Sequence, residues 1–185
     1  QLSRGLGDVY KRQVNVTGAT AINGSAADVA TSLADTQISH DSDFNVTLTA
    51  TSAAATAITA IDAATTKVVD ASLITALTGT AAVINTAYAS SGFSGLGGEA
   101  VTITDTTVAA SVLNTLNSNT TGLITATSVA TLTGEAAVIN TLVGNEGDSG
   151  DKVNLDSDYL ATLSDTSITA TVLNAVDGNV PGTVN

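Results

Sequence analysis

Hydrophobic and polar positions along this chain follow two alternating rhythms. The first has period two. Val46-Thr-Leu-Thr, Val101-Thr-Ile-Thr, Ala130-Thr-Leu-Thr and Ala161-Thr-Leu-Ser each set aliphatic side chains against hydroxyls. That is the pattern of a short strand, with threonine on one face and the aliphatic on the other. The second rhythm is helical. Val108, Ala109, Val112, Leu113 and Leu116 share one face of a helix, and so do Ala81, Ile84 and Tyr88. A further strand-like stretch, such as Val68-Val69-Asp70 or Leu123-Ile124-Thr125, precedes several of the alternating segments.

The rhythms recur with a fixed period. Leu77–Thr86 and Leu132–Thr141 agree at nine of ten positions, and a degenerate copy starts at Ile22. The three copies therefore start at i, i+55 and i+110. One anchor marks each strand: Ile22, Leu48, Leu77, Ile103, Leu132 and Leu163. A second marks each helix: Val29, Ile58, Ile84, Leu113, Ile139 and Leu173. A strand anchor at i leads to a helix anchor at i+7 and i+10 in alternation. A helix anchor at i leads to the next strand anchor at i+19, except once at i+24. Two half-units, about 26 and about 29 residues long, therefore alternate in a double repeat of about 55 residues, with one insertion of about five. Six half-units fit in residues 14–185. A unit this small cannot bury its own apolar face, so it must stack on neighbours. The expected fold class is α/β: a repeat solenoid of short parallel strands and short helices, with right-handed crossovers.

Stacking raises a geometric conflict. Strands repeat at about 4.8 Å, whereas helices pack at about 8–10 Å. Alanine pairs such as Ala81-Ala82 and Ala136-Ala137 narrow the gap, and the alternation of half-units is expected to stagger the helices. Asp105, Thr106, Thr107, Ser164, Asp165 and Thr133 offer N-caps. Gly122, Gly144 and Gly178 suit helix exits that need positive φ. Asn85, Asn114, Asn140 and Asn174 each follow a helix anchor, and an amide that both donates and accepts can bridge successive coils.

Composition narrows function. Zero Cys excludes disulfide scaffolds and thiol chemistry. No apolar run approaches the length of a spanning helix, about 18 residues at the least. With 17 acidic against 5 basic residues, the net charge is −12, which opposes nucleic acid and anionic lipid. Part of that arithmetic is foreign. Residues 3–13, Ser-Arg-Gly-Leu-Gly-Asp-Val-Tyr-Lys-Arg-Gln, resemble the in-frame translation of a transposase-based sequencing adapter. Residues 1–13 are therefore set aside as non-native. Removing Arg4, Lys11, Arg12 and Asp8 leaves two basic and 16 acidic groups, a net charge of −14. With no Met anywhere, residues 14–185 read as a shotgun fragment open at both ends.

Candidate chemistry is sparse. His40 is the only histidine, and its repeat copy is Leu155, so no acid–base pair or nucleophile motif forms around it. The expectation is no enzyme and no cofactor. Calcium is the one metal the composition offers: Asp148, Asp151, Asp156 and Asp158 supply hard oxygen ligands in and beside a Gly-rich connection. Asp41-Ser-Asp43 repeats as Asp156-Ser-Asp158, while no EF-hand or nonapeptide calcium pattern occurs. Thr47/Thr49, Thr102/Thr104, Thr131/Thr133 and Thr162/Ser164 occupy equivalent positions. Stacked, they form rows of hydroxyls and methyls of the kind seen in ice-binding solenoids, suited to ice or carbohydrate.

The segments Val69–Thr86, Gly92–Thr107 and Ser164–Asn179 resemble repeats of very long acidic proteins of marine cyanobacteria. The resemblance implies a secreted or cell-surface, adhesin-like role, with no catalytic residues to carry over. Its implied partners are neighbouring repeats of the same chain and surface polysaccharide or other cells, with no nucleic acid and no membrane insertion.

Overall fold

The computed structural model describes residues 13–144 and 152–185. In chain order they form β1 (Val14–Asn15), β2 (Ala21–Gly24), α1 (Ala26–Ala34), β3 (Ile38–Ser39), β4 (Asn45–Leu48), β5 (Ser52–Ala54) and α2 (Ala55–Ala64). Then come β6 (Val69–Asp70), β7 (Ala76–Gly79), α3 (Ala81–Ala89), β8 (Phe93–Ser94), β9 (Ala100–Ile103), β10 (Thr107–Ala109) and α4 (Ala110–Asn119). The last are β11 (Ile124–Ala126), β12 (Thr131–Gly134), α5 (Ala136–Val143), β13 (Val153–Leu155), β14 (Leu160–Leu163) and α6 (Ala170–Asn179). The expected α/β repeat is present. The helices start at Ala26, Ala55, Ala81, Ala110, Ala136 and Ala170, so long and short intervals alternate. The last interval is the longest and holds the insertion. Each helix packs on the next, from α1 through α6.

The strands do not form one continuous sheet. All named pairs are parallel, and they fall into separate ladders: β1-β3, β2-β4-β6-β8, β5-β7-β9-β11-β13 and β10-β12-β14. The usual ladder step pairs i with i+24, as in Ile22↔Val46 and Leu77↔Val101. It shortens to i+23 at Val46↔Val69 and lengthens to i+29 across the insertion, at Ile124↔Val153. The anchors alone imply i+26, pairing Ile22 with Leu48, and the observed register corrects this by two positions.

The shorter step explains why the half-units alternate. β4 and β5 begin seven positions apart, at Asn45 and Ser52, yet belong to different sheets. β9 and β10 do the same at Ala100 and Thr107. Two ladder steps and one such corner make up one full period of the double repeat. The long half-unit thus carries an extra strand that opens the next sheet. A helix row advancing ~8–10 Å per coil outruns strands advancing ~4.8 Å. Handing over to a new sheet each period keeps that mismatch from accumulating.

The core runs between helices and sheets. Strand anchors Leu48, Leu77 and Leu132 and helix anchors Ile58, Ile84, Leu113 and Ile139 have no exposed surface. Each such side chain contributes about 1.5–3 kcal/mol relative to exposure. Ala55, Ala81, Ala110 and Ala136, the first residue of four helices, are also fully buried. Their small side chains let helix and strand approach closely.

Two local expectations are corrected. Asp105 and Asp165 do not cap the helices that follow them, because extended backbone intervenes before α4 and α6. Thr169 caps α6 instead, and Ala109 precedes α4 without a side-chain cap. Nor do helix exits need positive φ: Thr65 and Thr120 leave α2 and α4 in extended backbone, Gly144 is helical, and Gly178 lies inside α6. The positive-φ glycines Gly79 and Gly134 (φ 154° and 140°) sit between strand and helix at the entries to α3 and α5.

Candidate functional site

Repeated polar side chains join one coil to the next. The Asp105 carboxylate accepts from the Ala81 backbone N–H at 2.8 Å, and Asp165 accepts from Ala136 at 2.8 Å. Each caps a short helix from the loop of the following coil. The Asn85 amide donates to the Val112 carbonyl (3.0 Å) and accepts from Asn119 (3.0 Å), both on the next helix. Asn114 donates to the Val138 carbonyl, and Asn140 accepts from Asn179 at 2.8 Å. The asparagine bridge expected from the sequence is therefore built at Asn85, Asn114 and Asn140. Its partners Asn119 and Asn179 are recognisable only once the period is imposed on them.

The threonines at helix exits act in the same way. Thr65 donates its hydroxyl to the Phe44 carbonyl (2.6 Å), and Thr120 donates to that of Glu99 (3.0 Å). Val180, at the third equivalent position, fills the same volume without a hydroxyl and is 5% exposed. The partners Phe44, Glu99 and Tyr159 are themselves equivalent, and all are buried.

Glu99 is the one carboxylate at that position. Its oxygens accept from the Tyr88 hydroxyl (2.9 Å) and the Gly97 N–H (2.8 Å for the closer oxygen). Where Phe44 and Tyr159 bring the ring from the loop, Tyr88 brings it from the helix, and the repeat mates of Tyr88 are Leu33 and Val143. Burial pushes the Tyr88 hydroxyl well above the usual tyrosine range; the Thr120 hydroxyl opposes this, and the bond to Glu99 and its charge reinforce it. With both partners engaged, this buried pair is a packing exchange. Sequence pattern alone missed it, although aligning the three copies exposes the swap.

The sequence-predicted sites fare differently. Asp148 and Asp151 lie outside the described residues. Asp156 follows β13 half-buried, and Asp158 is exposed in the turn before β14. Among the described residues, no three His, Asp or Glu side chains gather as a metal would require. His40 Nδ1 donates to the Asp41 carbonyl at 2.8 Å, and its ring meets Phe44 edge-on at 5.5 Å. It lines an apolar cavity of about 320 Å³ at the β1 end, with Val14, Val16, Ile22, Leu33 and Ile38. No carboxylate lines that cavity, so the imidazole has no acid–base partner there.

The threonines split between sheets. Thr78, Thr102 and Thr125 pair in one ladder, followed by Asn154. Thr47 lies in another, between Asn23 and Asp70, and Thr133 pairs with Thr162 in a third. The longest threonine row is therefore three side chains. No helix among the described residues is long and apolar enough to cross a membrane. Comparison with protein-family models, curated proteins and solved structures returns no match.

Proposed function

We propose that this chain is a structural, adhesive segment of a secreted or cell-surface protein, a stacked spacer without catalytic chemistry. One observation carries the reading. The side chains that recur at the period (Asn85 and Asn140, Asp105 and Asp165, Thr65 and Thr120) all bond to a neighbouring coil. Repetition has kept what joins coils and, among the described residues, has gathered no cluster of reactive groups. The high acidity suits a saline exterior, where screening weakens repulsion between coils. The sequence resemblance to long acidic surface repeats points the same way, with surface polysaccharide or other cells as the outer partner.

Excision of one period, residues 76–130, tests the reading. A spacer keeps folding cooperatively, with midpoint and unfolding heat reduced in proportion to the coils removed. Failure of the shortened chain to fold would overturn it. So would a hydrolytic or transfer activity in the full chain that excision abolishes.

A further inference from the structure

The two ends of the described stack differ from its middle in matching ways. On α6, Ala170 is exposed and Leu173 is 38% exposed. Their equivalents Ala55, Ala110, Ile58 and Leu113 have no exposed surface, because α3 and α5 cover them. At the other end Val14 is 51% exposed, whereas Val69 and Ile124 are fully buried. Ala19 is exposed where Ile74 and Val129 are 3% and 0% exposed.

The strand edges match too. Residues 167–169 stand where β5 and β10 stand in their units, but pair with no described strand. β2 pairs only with β4, and its other edge, which in β7 meets β5 and in β12 meets β10, is open.

The phase of the repeat decides what fits. α6 is a long-unit helix and α1 a short-unit helix. Within the chain, a long-unit helix is followed by a short-unit helix twice, at α2·α3 and α4·α5. We propose that the α6 end docks on the α1 end of a second copy, reproducing that junction head to tail. Ser167-Ile168-Thr169 then pairs with β2 of the partner, as β10 does with β12. Asn174, exposed here, reaches the partner's Asp28 carbonyl, as Asn114 reaches Val138.

Two features keep the junction weak. Val14-Asn15 and Val184-Asn185 hold the same repeat position, and Val184 already bridges to Ala161, so one strand must give way. Moreover, Asp62 accepts from Ser90 at 2.7 Å across α2·α3. The corresponding residues at the new junction are Asp177 and Asp35, two carboxylates. Repulsion between them, added to the high net charge, makes association salt-dependent. A head-to-tail contact of this kind does not close on itself and forms open chains.

Sedimentation of the full chain from micromolar to millimolar concentration, at low and high salt, tests this. Mass is expected to rise with concentration, more so at high salt. Asp35→Ser restores the Asp62–Ser90 arrangement and is expected to tighten association about tenfold. Leu173→Asp, at an exposed position, weakens it at least about tenfold. Leu123→Asp, 50% exposed in a corner loop, leaves it unchanged. Thermal melts of each variant confirm folding. A monomer at every concentration in both the parent chain and Asp35→Ser overturns the proposal, as does unaltered association of Leu173→Asp.

Discussion

The first double unit and the two that follow stack the same way with different chemistry. In the later units, Asn85 bonds to Asn119 and Asn140 to Asn179. At the matching positions of the first unit stand Ala30 and Ala64. Asp105 and Asp165 cap neighbouring helices, whereas Ala50 holds that place in the first unit and Ser25 caps α1 locally, accepting from Asp28 at 3.1 Å. Both partners of the Asn pair are lost together. The apolar anchors are kept throughout: Leu48 and Ile58 are as buried as Leu77 and Ile84. Apolar burial fixes the stack, and the polar bridges are matched additions to it. A half-removed bridge would leave a buried amide unpaired, at about 1–3 kcal/mol.

The largest break in this comparison comes from transplanting one partner alone. Phe44→Glu places a carboxylate beside Leu33, which has no hydroxyl to offer, and should cost about 3–5 kcal/mol in denaturant melts. Glu99→Ala strands the Tyr88 hydroxyl and is expected to cost about 1–3 kcal/mol. pH gives a second view of that pair. The folded Tyr88 hydroxyl titrates above its unfolded value, so its stabilising effect is complete below about pH 10. It is lost as pH rises beyond that. Tyr88→Phe should flatten this alkaline loss of stability, and an unchanged alkaline profile contradicts the assignment.

Capping gives a smaller effect with opposite signs in the two regions. Asp105→Ala should lower stability by about 1 kcal/mol, and Ala50→Asp should raise it by up to that amount. Smallest is the coupling between Asn85 and Asn119. A double-mutant cycle to alanine is expected to show about 0.5–1 kcal/mol of interaction. Additive costs there would reduce the Ala30/Ala64 pairing to coincidence.

Much of this was legible in the sequence. The alternation at Val46-Thr-Leu and the helical spacing of Ala81, Ile84 and Tyr88 fixed element types, because each rhythm demands its own geometry. The anchors located the core, and the asparagines located the bridges. The register was not legible. Pairing Ile22 with Val46 or with Leu48 puts the same faces inward, since a slip of two positions preserves the pleat. Hydrophobic pattern therefore cannot separate the i+24 register from i+26, and the stepped sheets follow from that difference. The true role of Asp105 was hidden for another reason. Capping signals are sought just ahead of a helix in sequence, and this one acts from the next coil.

The stepped ladder is the central claim, and a cysteine cross-link tests it most directly, since the chain has no native thiol to interfere. Thr102 pairs with Thr125 in one sheet, while Thr131 lies in the next sheet, beside Thr107 and Leu160. Paired residues on adjacent strands lie about 4.8 Å apart, within disulfide range. The account predicts that Thr102→Cys with Thr125→Cys oxidises readily and that Thr102→Cys with Thr131→Cys does not. Efficient cross-linking of the second pair, with failure of the first, would contradict it.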